Sequence, residues 1–86
     1  MKTTRERVAG RLEGLDAMGL LELSYSSLVS PRVLATAVDC DRAERKLCAY
    51  LDALDVARVR DRELWRRRFA DGLEAVRRAR ETIMPF

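Results

Sequence analysis

Apolar residues recur at steps of three and four along the last third of the chain, which is its most strongly patterned stretch. At about 100° per residue these positions fall on one narrow helical stripe, and most of the intervening arginines point the other way. The stripe consists of Trp65, Phe69, Gly72, Val76, Ala79 and Ile83. The pattern predicts an amphipathic helix over residues 61–83, capped by Asp61 and ending at Met84 because Pro85 cannot continue it.

A second helix is predicted at the start of the chain. Thr3 opens a capping-box motif, apolar residues follow at helical steps, and Gly19 has the position of a left-handed helix stop. These signals predict a helix over about residues 4–18. Gly10 and Gly14 lie on one side of it, which favours close approach by a neighbouring backbone; the alternative is that they only weaken the helix.

Sequence signals in the middle of the chain predict a third helix. A Ser-Pro pair at residues 30–31 combines a hydroxyl cap with proline at the first helical position. One apolar stripe then continues, so we predict an unbroken helix over about 31–54. The alternative is a break at residues 39–41, because Asp41 and Glu44 also have capping-box spacing. Glu44 falls within the apolar stripe and therefore needs a polar partner or an exit to solvent.

The two connections have weaker signals. From Leu21 to Tyr25 apolar and polar residues alternate with a period of two. A single short strand without a partner is not stable, so we predict an irregular connector over residues 19–30. Residues 55–60 contain no Gly or Pro, but continuing the preceding helix would bury Arg58, and a turn is predicted there.

The elements together predict an all-α fold. We expect a small three-helix domain spanning residues 1–86, in which a long antiparallel helix pair (about 31–54 and 61–83) is crossed by a shorter N-terminal helix (about 4–18). The first helix is shorter than the pair. Either the connector or a second copy of the chain therefore covers the remaining apolar surface.

Charge is distributed unevenly along the chain. The net charge is +3, but residues 1–57 carry eight basic and nine acidic side chains, whereas residues 58–86 carry nine basic and five acidic ones. Fifteen of the seventeen basic residues are arginine, which suits bidentate contacts to carboxylate or phosphate. The alternative explanation is a GC-rich genome, which encodes arginine in preference to lysine. All the excess positive charge lies in the last third of the chain.

Catalytic chemistry finds little support in the sequence. The chain has no histidine, the usual general base near neutral pH. It also lacks a Gly-rich phosphate loop, a nucleophile elbow and a two-His metal motif. Asp41 and Glu44 could share a cation, but an oxygen-only site usually requires a loop to wrap the ion. We therefore predict a protein that is not an enzyme and has no cofactor or metal ion.

The cysteines and the hydropathy pattern bear on location. Cys40 and Cys48 lie eight residues apart in one predicted helix. They are separated by about 12 Å along its axis, which is too far for a disulfide. Both are expected to be reduced and buried, which indicates a cytoplasmic protein. A run of about 18 apolar residues, as a membrane span requires, is absent from the sequence.

A binding function remains. We expect a protein–protein interaction module that acts as a small regulator or inhibitor on a larger partner with an acidic surface, or that pairs as a homodimer. By class analogy alone, small helical proteins of this kind occur among phage and mobile-element regulators. The alternative is nucleic-acid binding through the arginine-rich last helix. The predicted partner-binding residues are Arg66, Arg67, Arg77, Arg78, Tyr25 and Phe86.

Overall fold

The computed structural model describes residues 1–83, which contain four helices and confirm the all-α fold. These are α1 (Thr4–Ala17), α2 (Leu21–Val29), α3 (Ala37–Leu54) and α4 (Arg62–Ile83). The end of α3 lies beside the start of α4 and the start of α3 beside the end of α4, so the two helices are antiparallel. The predicted helix end at Met84 lies outside the described residues.

The structure confirms the predicted signals of α1. The Thr3 side chain accepts a hydrogen bond from the Glu6 amide, and the Glu6 carboxylate accepts one from the Thr3 amide, which completes the capping box. Gly19 adopts a φ of 70° just after the helix, as expected of a left-handed stop. The predicted close approach of a neighbouring backbone to Gly10 and Gly14 is wrong, because a Cβ built on either glycine would have no neighbour within 4 Å.

The predicted irregular connector over residues 19–30 is wrong, since most of it forms α2. Leu21, Tyr25 and Leu28 also recur at steps of four and three, so one side of a helix carries all three. Leu21 is buried, and the other two pack partly buried against the core. α2 therefore covers apolar surface that the shorter α1 leaves open.

α3 begins later than predicted. The hydroxyl of Ser30 accepts a hydrogen bond from the Val33 amide at 3.4 Å, but this start signal produces only one turn. The N-cap is Thr36, whose side chain accepts from the Asp39 amide at 3.1 Å. From there α3 is unbroken to Leu54, so the continuous helix through residues 39–41 is confirmed.

The predicted turn after α3 is confirmed, and α1 holds it in place. The Glu13 carboxylate accepts a hydrogen bond from the Arg58 amide at 2.9 Å, and the Asp16 carboxylate accepts one from the Arg60 amide at 3.0 Å. Asp61 then caps α4 as predicted, by accepting from the Leu64 amide at 3.1 Å. The turn is therefore fixed by two acidic side chains of another helix.

The predicted stripe of α4 forms the centre of the core. Phe69 is 1% exposed, and its ring centroid lies 5.4 Å from that of Tyr50 and 5.8 Å from that of Trp65. Gly72 allows two side chains to approach the α4 backbone closely, because a Cβ there would lie 3.1 Å from Tyr25 and 3.3 Å from Leu47. The glycine thus sets the distances from α4 to α2 and α3.

Candidate interaction surface

Most of the acidic side chains are engaged within the molecule. Eleven of the fourteen are in ion pairs with arginine or in caps and loop contacts. The three that make no such contact among residues 1–83 are Asp71, Glu74 and Glu81, all exposed on α4. All the acidic side chains without such a contact therefore lie on one helix.

Most of the basic side chains, by contrast, are not engaged within the described part of the molecule. Five arginines form ion pairs, and two more donate to backbone carbonyls. The other ten side chains are all exposed and make no hydrogen bond or ion pair within the described part of the chain. They are Lys2, Arg7, Arg11, Arg32, Arg42, Lys46, Arg58, Arg67, Arg77 and Arg78. The side chains without an internal contact are therefore mainly basic, although the net charge of the chain is only +3.

The solvent side of α4 carries a row of two basic and three acidic side chains, which we call the outer strip. Its members recur at steps of three and four opposite the buried stripe, with Arg77 beside the row. They are Arg67, Asp71, Glu74, Arg78 and Glu81. The intrahelical pairs that the spacing indicates, such as Glu74 with Arg78, do not come within 4.0 Å among residues 1–83, whereas Arg66 contacts Glu63 at 3.7 Å.

The structure divides the predicted binding residues into groups. Arg67, Arg77 and Arg78 are exposed on α4, as the prediction requires. Arg66 donates to the Asp55 carboxylate at 2.9 Å and so connects α4 to the end of α3. Its guanidinium is thus already engaged inside the molecule.

The two predicted aromatic contacts have different outcomes. Tyr25 does not lie in an irregular region, because it belongs to α2 and its ring centroid is 6.3 Å from that of Phe69. Its side chain is half-buried and packs against Gly72. Phe86 lies outside the described residues.

Glu44 finds the partner that its position in the stripe requires. The Arg80 guanidinium donates to Glu44 Oε2 at 2.6 Å and to Asp41 Oδ1 at 2.7 Å. The hydrogen bond to Glu44 is the main cause that raises the pKa of Arg80 above its ordinary value; the charges of Glu44 and Asp41 add to it, and partial burial opposes it. The two carboxylates thus bind an arginine and connect α3 to α4.

Sequence reasoning missed basic residues on the other helices. Arg7 and Arg11 on α1 are exposed, as are Arg42 and Lys46 on α3. Each pair has the four-residue spacing that places both side chains on one side of a helix. The same periodicity that identified the apolar stripes could have located these pairs.

An apolar groove lies where the C-terminal part of α4 meets the end of α2 and the linker to α3. Its volume is about 310 Å³, and we call it the end groove. The lining residues are Val29, Pro31, Leu34, Ala75, Ala79, Thr82 and Ile83. A larger depression of about 530 Å³ beside α1 is lined by charges of both signs. The end groove is the more uniform of the two, since none of its lining residues is charged.

Other chemistry is sparse in the described region. Within residues 1–83, no three His, Cys, Asp or Glu side chains come together so that they could hold a metal ion. No helix there combines the length and apolar character of a membrane span. Comparisons of the chain with protein-family models, with curated proteins and with solved structures each give no match.

Proposed function

We propose that this protein is a non-catalytic helical binding module that docks on an acidic surface of a larger protein and regulates or inhibits it. The observation that carries the proposal is the unequal use of charge. Ten exposed basic side chains make no hydrogen bond or ion pair among the described residues, against three acidic ones. Complementary charge accelerates encounter with an acidic partner and suppresses encounter with basic ones.

The outer strip favours a protein partner over nucleic acid. Asp71 and Glu74 lie between Arg67 and Arg78 in the same row. A phosphate backbone presents uniform negative charge, so each interleaved carboxylate would repel it. A protein surface can instead place a basic residue opposite each acid, and the mixed charges of the row then add specificity.

The first experiment identifies the partner and tests the charge contact. The protein is used to capture partners from the organism that encodes it, and affinity for the purified partner is measured by calorimetry. Reversing two charges, Arg77→Glu with Arg78→Glu, should weaken binding by about tenfold or more and should reduce its salt dependence. Helicity should stay the same because both side chains are exposed.

A matched variant shows whether α4 is the docking side. Arg7→Glu with Arg11→Glu makes the same change of charge on exposed positions of α1. It should weaken binding by less than the α4 variant. Equal loss in both would indicate only general charge attraction, and unchanged affinity of the α4 variant would contradict the proposed docking surface.

Nucleic-acid binding is decided by a separate titration. Labelled duplex and single-stranded DNA and RNA are titrated at about 50 mM and about 200 mM salt. Micromolar binding with a steep salt dependence would replace the protein partner with nucleic acid. Weak binding that does not distinguish the α4 variant from the α1 variant would support the protein-docking proposal.

A further inference from the structure

We propose that α2 is a strap: it opens as a unit while α1, α3 and α4 stay folded, and its opening uncovers the apolar side of α4 around Gly72. The motion requires no partner, so it goes beyond the proposed function. Three features of the structure support it: the few contacts that anchor α2, the loops at its two ends, and a buried donor at its contact with α4.

α2 is the shortest of the four helices in the described chain. Its nine residues include one buried side chain, that of Leu21, whereas the 18 residues of α3 include six. A helix of this length is marginal by itself in water, and α2 has no side-chain hydrogen bond at its N-cap. Its helical structure therefore depends on its contact with the rest of the molecule.

α1 also buries few side chains, but polar contacts attach it along its length. Arg5 pairs with a carboxylate at the end of α3, and the Glu13 and Asp16 carboxylates hold the α3–α4 turn. Within residues 1–83, by contrast, one side chain of α2 makes a polar contact with another helix: Glu22 Oε1 lies 3.1 Å from Arg68 Nη1. That pair is about half exposed and contributes little. α1 therefore has anchors that remain when α2 leaves.

The contact between α2 and α4 includes a buried donor. Arg68 Nε belongs to the guanidinium group that pairs with Glu22. It is shielded from solvent and has no hydrogen-bond partner in the described part of the chain. A buried N–H group without a partner costs free energy. The closed arrangement thus carries a cost at this contact, which hydration of the guanidinium in the open state relieves.

Loops at both ends of α2 limit the segment that moves. Gly19, with a φ of 70°, precedes the helix, and a turn over residues 30–36 follows it. Leu34 in this turn is buried in the core, and α1 ends at Ala17. The opening is therefore confined to about residues 18–33.

α2 covers a part of α4 that is apolar and lacks a side chain at its centre. A Cβ at Gly72 would lie 3.1 Å from Tyr25, and the Tyr25 ring centroid lies 6.3 Å from that of Phe69. When Tyr25 leaves with α2, the α4 backbone at Gly72 and one side of Phe69 become accessible. The strap thus controls access to an apolar surface of a domain that is otherwise folded.

Native-state hydrogen exchange of the full-length protein tests the opening. NMR follows exchange at increasing denaturant concentrations below the unfolding transition. We expect the amides of residues 25–29 to share one protection factor, at least about tenfold below that of the α1 and α3 core amides, with a weaker dependence on denaturant. Exchange of α2 and α3 at one common rate would overturn the proposal. So would exchange of α1 and α2 at one common rate.

A destabilising variant outside the strap separates the two kinds of opening. Arg80→Met removes a contact between α3 and α4 that persists when α2 opens. It should accelerate exchange of the α3 core amides about threefold or more and leave the rate of the α2 amides unchanged. Equal acceleration in α2 and α3 would overturn the proposal, because α2 would then open only by global unfolding.

Two leucines of α2 provide a matched pair. Leu21 is 3% exposed and Leu23 is 66% exposed. Leu21→Ala should accelerate exchange of the α2 amides at least about tenfold, because its burial is lost on opening, whereas Leu23→Ala should change it by less than about threefold. Equal effects would overturn the proposal. If Leu21→Ala does not fold, exchange in the wild type and in Arg80→Met still decides.

Ser26→Pro tests the uncovered surface. Ser26 is an exposed position in the middle of α2, and proline there breaks the helix. Helicity by circular dichroism should fall by about the share of α2, unfolding should stay cooperative, and fluorescence of an apolar dye should rise above that with Ser26→Ala. Loss of all helicity, or dye fluorescence equal in the two variants, would overturn the proposal.

Discussion

Arg80 and Glu44 form the closest ionic contact between the two long helices, with 2.6 Å between the guanidinium nitrogen and Oε2. Glu44 falls within the α3 apolar stripe, but its side chain is 43% exposed, so the carboxylate has both a partner and access to solvent. The same nitrogen lies 2.7 Å from Asp41. One arginine thus holds two carboxylates at the end of the α3–α4 pair that is remote from the turn.

Replacing Arg80 with Met should lower the free energy of unfolding, because it leaves Glu44 and Asp41 side by side without their shared cation. The loss should shrink as salt is raised. Chemical denaturation at low and high salt measures it. Arg78→Met is the control, since Arg78 is exposed and makes no ion pair among residues 1–83; an equal loss in both variants would contradict the role of the contact.

The effect of Arg80→Met should be independent of pH near neutrality. The contact raises the pKa of Arg80, so its stabilising contribution is complete below the ordinary arginine pKa. It is lost only as pH rises through the raised value, in strongly alkaline solution. The difference in unfolding free energy between wild type and variant should therefore be constant from about pH 6 to about pH 9.

Glycines in two helices should respond in opposite directions to alanine. Gly14→Ala should stabilise the protein by about 0.5–1 kcal/mol, because the position is exposed and a Cβ meets nothing within 4 Å. Gly72→Ala should destabilise it by about 1–2 kcal/mol, because the new methyl group would press on Tyr25 and the fully buried Leu47. Thermal unfolding measures both, and equal shifts of Tm in the two variants would show that Tyr25 and Leu47 move aside without cost.

Removing the Asp16 carboxylate should release the turn between α3 and α4. The Asp16 side chain is only 14% exposed; it accepts a hydrogen bond from the Arg60 amide and forms an ion pair with the Arg60 guanidinium at 3.5 Å. Asp16→Ala should therefore cost about 1–3 kcal/mol and should accelerate hydrogen exchange of the Arg60 amide. Asp71→Ala, at an exposed acid of α4, should change stability by less than about 0.5 kcal/mol.

The two cysteines should react at different rates. Both are unpaired, but Cys40 is buried whereas Cys48 is exposed, so the expectation that both are buried is wrong for Cys48. A thiol reagent should modify one equivalent quickly in the native protein and the second only as the protein opens. In Cys48→Ser the fast phase should disappear. Two fast equivalents would place Cys40 at the surface.

Signals that lie within one helix predicted structure well. The α4 stripe, the Thr3 capping box and the cap at Asp61 each depend on residues a few positions apart, and all three are present. Continuity of α3 through residues 39–41 was predicted because the apolar stripe keeps the helical period through these residues. Local spacing was sufficient because local hydrogen bonds and one buried side determine these features.

Features stabilised by distant contacts were not predictable in this way. α2 has no side-chain cap, and its N-cap position is Leu20, so no start signal marks it. Its burial against α4 stabilises it. Likewise, the sequence predicts both Arg66 and Arg67 as partner-binding residues, but only Arg66 reaches Asp55, eleven residues earlier in the chain. Which arginines stay available to a partner depends on such tertiary contacts.

The attachment of the α3–α4 turn to α1 has a consequence for how the chain tolerates additions. Surface turns normally accept extra residues at little cost, but here a lengthened turn would pull Arg58 and Arg60 off the carboxylates that hold them. Among the described residues, no carboxylate of α1 or α4 holds the linker between α2 and α3 in this way, although Leu34 anchors it in the core. A reporter or affinity tag placed within the chain is therefore better accommodated next to Ala35, which is exposed, than next to Arg58.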